Sequence, residues 1–214
     1  MWVVISLVEQ LAYRYAAHPG CDKSALMVVQ SRPRVTPTEY LAADRAAARK
    51  SEYLGAEVFA MGGASERHNL IVVNVVAELR RQLKGRPCRV YPSDMRVRIK
   101  ETGLYAYPDV TVVCGKRQTA KDDEDAVTNP TVIIEVLSES SEASDRGEKF
   151  AHYRRLESLQ EYVLVNFTRR LVEVFRRGQG IAWEYFPLGE QDRIELKSIG
   201  VTLTLDDVYA DPNA

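Results

Sequence analysis

Residues 131–137 read Thr-Val-Ile-Ile-Glu-Val-Leu. Every position except Glu135 is apolar or β-branched, the pattern of a strand buried on both faces. Strand alternation puts Val132, Ile134 and Val136 on one face and Ile133, Glu135 and Leu137 on the other. Glu135 is therefore out of place. A carboxylate inside such a run is costly unless it is paired, solvated or bound to a cation.

Working outward, a second β-branched run spans residues 109–114 (DVTVVC) and opens on Asp109, directly after Pro108. Asp is depleted in strands. Downstream, a Ser/Glu-rich loop leads to a predicted helix over residues 146–156, with Asp145 as N-cap and Glu148 three residues on as its capping-box partner. On that helix Lys149, Phe150, Tyr153 and Leu156 share a stripe, which puts the Lys149 ammonium at the edge of an apolar face. Each residue alone has a plain structural reading. Asp109 is a turn residue, Glu135 faces solvent on an edge strand, and Lys149 snorkels to water. Their order carries more. Adjacent strands bring two carboxylates to one point, and a helix delivers a lysine next. Two carboxylate oxygens suit Mg²⁺, which fills its remaining positions with water and substrate phosphate. Such a metal polarises a phosphodiester. A nearby lysine orients or deprotonates the attacking water, or neutralises transition-state charge.

The flanking segments set the fold class. A helix is predicted over residues 37–54, with Thr36 as N-cap and Pro37 in the first turn, stopped by Gly55. A short strand follows over 57–61, then an apolar helix over 66–84 ended by Gly85 and Pro87. Residues 88–100 read as one long or two broken strands, 101–107 as a turn, and 115–129 as a polar, acidic loop. Strands are predicted over 161–167, 171–177 and 181–186, the last two joined by Gly178-Gln179-Gly180 as a hairpin. This is an α/β (α+β) order: a mixed β-sheet flanked by helices, with a C-terminal β-hairpin extension.

At this point the sequence resembles the PD-(D/E)xK nuclease superfamily, and more narrowly the Uma-type restriction endonuclease family. The phrases that carry the resemblance are YLAADRAAARKSEYLGAEVFAMGGAS, HNLIVVNVVAELRRQLKGRPCRVYPSDMRVRI, YPDVTVV, NPTVIIEVLSESSEASDRGEKFAHYRRL and EYVLVNF, over about residues 37–209. The resemblance implies a restriction-endonuclease-like fold and a metal-dependent endonuclease acting on DNA. Asp109 and Glu135 would bind Mg²⁺, with Mn²⁺ as a substitute. The lysine departs from the superfamily pattern: Leu137 stands two residues after Glu135, and by the resemblance Lys149 would be the migrated replacement. His68 and Glu57 are possible site neighbours, as is Tyr153, whose plain reading is a core residue with its hydroxyl partnered. The alternative reading is a non-catalytic, nuclease-like module that binds nucleic acid or protein.

Arg96, Arg98 and Lys100 alternate with Val97 and Ile99, so period two gathers the three cations on one strand face as nucleic-acid contact candidates. The chain's 214 residues carry a net charge of −1, so a basic protein is excluded and any phosphate-binding site is local. Hydrophobic residues make up 45%, which excludes disorder throughout, collagen and coiled coil. Cys21, Cys88 and Cys114 are odd in number and far apart, so neither a disulfide framework nor a zinc site follows, and a reducing cytoplasm fits best. No apolar run is long enough for a membrane span. Residues 1–35 read as an N-terminal extension, either a start assigned too far upstream, with Met27 the alternative, or a loosely attached arm. A single domain follows over 36–210. The alternating Val201, Leu203 and Leu205 suggest a sheet-edge pairing or a homodimer contact.

Overall fold

The computed structural model describes residues 34–138 and 141–211. In chain order the elements are α1 (Pro37–Ala46), β1 (Ser51–Leu54), β2 (Glu57–Ala60), α2 (Glu66–Gln82), β3 (Cys88–Pro92), β4 (Arg96–Ile99), β5 (Leu104–Ala106), β6 (Val110–Cys114), β7 (Ala126–Val127) and β8 (Val132–Leu137). A helical run follows in three parts: α3 (Glu142–Ser144), a π turn (Asp145–Lys149) and α4 (Phe150–Tyr153). Then come β9 (Glu161–Asn166), β10 (Val172–Arg177), β11 (Trp183–Leu188), β12 (Arg193–Leu196), β13 (Val201–Thr204) and α5 (Leu205–Tyr209).

All six residues of β8 are buried, as its sequence requires. The strand lies inside a six-stranded sheet of order β11-β10-β9-β8-β6-β3. β8 runs parallel to β9 and antiparallel to β6, so the sheet is mixed. The helical run crosses from β8 to β9, which two parallel neighbours require. Alternation sorts the two faces as expected. Val132, Ile134 and Val136 pack under Ile71, Val75 and Leu79 of α2, together with Leu203 and Leu205. Ile133 and Leu137 face the other way, toward Tyr153, Tyr162 and Leu164, and meet Val97, Ile99 and Leu104 of a second sheet. That sheet has five strands in the order β2-β1-β5-β4-β7. Glu135 thus lies between two sheets, on the face that also receives the helical run.

Several expectations are corrected. The helix predicted over 37–54 ends at Ala46, and Ser51–Leu54 is a strand. The Asp44 side chain breaks the helical course: it accepts hydrogen bonds from the Ser51 amide and hydroxyl and pairs with Arg96. β1 then turns into β2 through Gly55 and Ala56, both at positive φ (59° and 72°), the two-residue geometry of a tight hairpin. Residues 104–106, read as turn, form β5, and residues 126–127 form β7 inside the acidic loop. Asp145 is not an N-cap. It sits within the helical run at φ −64°, ψ −38° and begins a π turn. Val201, Leu203 and Leu205 are buried in this chain's own core with residues of α2; Val201 and Leu203 pair with β12, and Leu205 opens α5.

Cys88 and Cys114 face each other in the β3–β6 register, 4.0 Å apart at Cα, and form a disulfide across 26 residues. Sequence spacing gave no sign of it, because strand register alone brings them together; Cys21 lies outside the described residues. So does the expected extension, apart from Arg34 and Val35. Val35 already belongs to the fold: its amide donates to the Ala56 carbonyl and its own carbonyl accepts from Tyr53. Among the described residues no helix is long and apolar enough to cross a membrane.

Candidate active site

The antiparallel register of β6 and β8 pairs Val110 with Ile134, which sets Asp109 opposite Glu135. The two residues interlock. The Asp109 amide donates to Glu135 Oε2 (3.1 Å), and the Val136 amide donates to Asp109 Oδ2 (2.8 Å). Each carboxylate accepts a backbone donor of the other strand, so both are held without help from the loops. Burial differs: the Asp109 side chain is 16% exposed and that of Glu135 only 4%. The pair opens outward on the Asp109 side.

His68 reaches Asp109 from the first turn of α2, where Ser65 caps the helix by accepting from the His68 amide. Its Nε2 lies 3.2 Å from Asp109 Oδ2. Burial works against a charged imidazole, but the hydrogen bond and charge of Asp109 outweigh it and raise the His68 pKa. Tyr153, fully buried, donates from its hydroxyl to Glu135 Oε1 (3.0 Å).

The π turn brings in Lys149. An i→i+5 turn widens the helix by one residue, a departure that concentrates at functional sites. Here it sets Asp145 and Lys149 side by side and buried. Lys149 Nζ lies 3.5 Å from Glu135 Oε1, 3.3 Å from Asp145 Oδ1 and 3.1 Å from Glu52 Oε1. Glu52 comes from β1 in the other sheet, and its Oε1 also accepts from the Tyr107 amide (3.1 Å). Burial opposes the ammonium charge, yet Glu135, Glu52 and Asp145 together hold the Lys149 pKa well above the ordinary range. Glu135 moves the same way for a different reason. Burial raises its pKa, Lys149 opposes that, and Asp145, Asp109 and Glu52 add to it.

Four carboxylates thus surround one lysine and one histidine, a surplus of negative charge in a buried place. Among the described residues no group of three or more His, Cys, Asp or Glu side chains is arranged to hold a metal. The Asp109–Glu135 pair supplies two oxygen donors beside that surplus, and Mg²⁺ needs no more from a protein. The residues present fit a hard divalent cation.

Of the residues read from sequence, Asp109, Glu135, Lys149, His68 and Tyr153 converge. Glu57 does not take the expected place: it is exposed at the start of β2, opposite Leu54, and Glu52 on the adjacent strand is the one that enters. Glu52 and Asp145 were missed, the first inside a predicted helix, the second as a predicted cap. A glutamate followed by Tyr53 and Leu54 before a Gly turn was the available signal for Glu52. The basic row of β4 is also revised. Arg96 is buried and bonded to Asp44, Asp123 and Tyr107, so it presents no charge to the surface. Arg98 pairs with Asp122, and Lys100 is exposed in the turn after the strand.

The mixed sheet thus carries an acidic pair on neighbouring strands, beside a lysine from the helical run. The same fold is seen in the crystal structure of a "putative nuclease belonging to DUF820" from Anabaena variabilis, with a TM-score of 0.63 and 19% identity over 77% of this chain and 92% of that one. The chain belongs to the Uma2 family, described as "putative restriction endonuclease", whose model matches residues 37–206. Two relatives from Synechocystis sp. are similar over most of their length. The uncharacterized protein slr1290 is 35% identical over 83% of this chain and 92% of its own, and the uncharacterized protein sll1609 is 36% identical over 79% and 97%.

Proposed function

We propose that the protein is a divalent-metal-dependent endonuclease that hydrolyses phosphodiester bonds in DNA. The observation that carries this is the interlocked Asp109–Glu135 pair with the Lys149 ammonium 3.5 Å from Glu135. Asp109 and Glu135 would hold Mg²⁺, for which Mn²⁺ can substitute. The bound metal would polarise the scissile phosphodiester. The chain's own residues do the rest. Backbone amides fix both carboxylates, Tyr153 fixes the Glu135 rotamer, and His68 fixes Asp109. Lys149, kept protonated by its three acidic neighbours, is suited to orient water and to offset the charge that builds on the phosphoryl oxygens, rather than to act as a base. Family membership supports DNA as the substrate.

The test is nicking of supercoiled plasmid by purified protein with Mg²⁺, Mn²⁺ or EDTA, beside Asp109→Ala and Glu135→Ala. Metal-dependent nicking is expected, with a loss of about 10³-fold or more in each variant. Nicking that survives both substitutions would remove these residues from the site. Absence of nicking by a folded protein that binds no metal would favour a non-catalytic nucleic-acid or protein-binding module.

A further inference from the structure

We infer that Glu52, on the five-stranded sheet, is a positioning residue for Lys149, so that the second sheet is part of the catalytic apparatus. The inference rests on the endonuclease reading and extends it to a residue outside the sheet that bears the acidic pair.

Three observations carry it. First, Glu52 Oε1 makes the shortest of the three contacts to Lys149 Nζ, 3.1 Å against 3.3 Å for Asp145 and 3.5 Å for Glu135. Second, Glu52 is itself fixed. Its side chain is 3% exposed, its strand pairs with both β2 and β5, and the Tyr107 amide donates to the same oxygen that meets the lysine. Third, the position calls for a cation. A carboxylate buried between two sheets lowers stability unless its charge is matched, and Lys149 matches it. Tyr107 stands two residues before Asp109, so one short segment ties Glu52 and the acidic pair to a common frame.

The geometry divides the work. Asp145, four residues before Lys149, holds it from within the same turn, and its carbonyl ties that turn to Tyr162 of β9 in the larger sheet. Glu135 meets it at the longest of the three distances. Glu52 is the anchor from outside. Without its charge the flexible four-carbon stem loses the shortest of these three contacts, and the ammonium is held less firmly beside Glu135.

Glu52→Gln tests this. The amide oxygen preserves an acceptor for Tyr107 while removing the charge that Lys149 meets. Two readouts are needed. The first is the side-chain ammonium resonance of Lys149 in ¹H–¹⁵N NMR, assigned by its absence in Lys149→Met. A buried, ion-paired ammonium exchanges slowly and is visible, and Glu52→Gln is expected to erase the signal. The second is steady-state cleavage: kcat is expected to fall about 100-fold, the scale of a misplaced catalytic group, with KM unchanged. Glu52→Asp keeps the charge one methylene short and is expected to be intermediate; it carries the test if Glu52→Gln does not fold. An ammonium signal unchanged in Glu52→Gln overturns the inference, as does normal kcat after the signal is lost. A signal lost in Glu52→Gln, in a protein whose wild type cleaves no DNA with any divalent metal, upholds Glu52 as the holder of Lys149 while the endonuclease reading falls.

Discussion

At Glu135, burial and three neighbouring carboxylates favour the protonated form, and Lys149 opposes them. The consequence for stability has a definite sign. A carboxyl whose pKa is raised in the folded state supports the fold below the ordinary carboxylate range, and that support is lost as pH rises through the folded value. Without divalent metal, the wild type is therefore expected to lose stability relative to Glu135→Gln as pH increases from about 5. The variant is expected to melt higher at neutral pH, by about 2–4 °C for each kcal/mol relieved. Thermal melts of both proteins across pH, in EDTA, check this; parallel curves would show that Glu135 carries no such burden. Asp109 and Glu135 were legible because each violates the pattern of its own strand. Lys149 and Tyr153 were legible from one helical stripe. Glu52 and Asp145 were not, because what makes them matter is a partner far along the chain or a change of helical pitch, and neither leaves a local mark.

Among the elements, α2 and β8 followed their sequence closely, since long periodic or uniformly buried segments carry their own pattern. The short strands did not. β5, β7 and the β12–β13 hairpin exist because neighbours pair with them, and propensity over two to four residues cannot show that. The first helix was overrun for a related reason: Ala-rich sequence favours helix beyond Ala46, but the Asp44–Arg96 pair and the Ser51 bonds end it. Helix α2 has a further duty, because its first turn holds His68 against Asp109. Ser65 caps that turn. Ser65→Ala is expected to cost about 1 kcal/mol, a drop in Tm of about 2–4 °C. Thermal denaturation measures it, and an unchanged Tm would show that the cap contributes nothing.

For the whole molecule, the mixed sheet and its helices were readable from element order, whereas the second sheet was not, since its five strands come from both sides of α2. The Cys88–Cys114 disulfide joins β3 and β6 of the larger sheet, and the chain between its ends, a separation of 26 residues, contains β4 and β5 of the second. Chain entropy assigns such a loop about 3–4 kcal/mol, so Cys88→Ser is expected to lower Tm by about 10 °C. Equal melting of wild type and variant without reductant would show that the bond does not support the fold.

The contact between Glu52 and Lys149 also bears on the order in which this chain acquires its powers. The carboxylate is made early in the chain and the lysine late, and they belong to different layers. The larger sheet and its helical run alone supply the acidic pair and two of the three carboxyl partners of the lysine. The set of carboxyl partners around Lys149 is complete only where the two sheets meet, so the two layers are joined at the site itself.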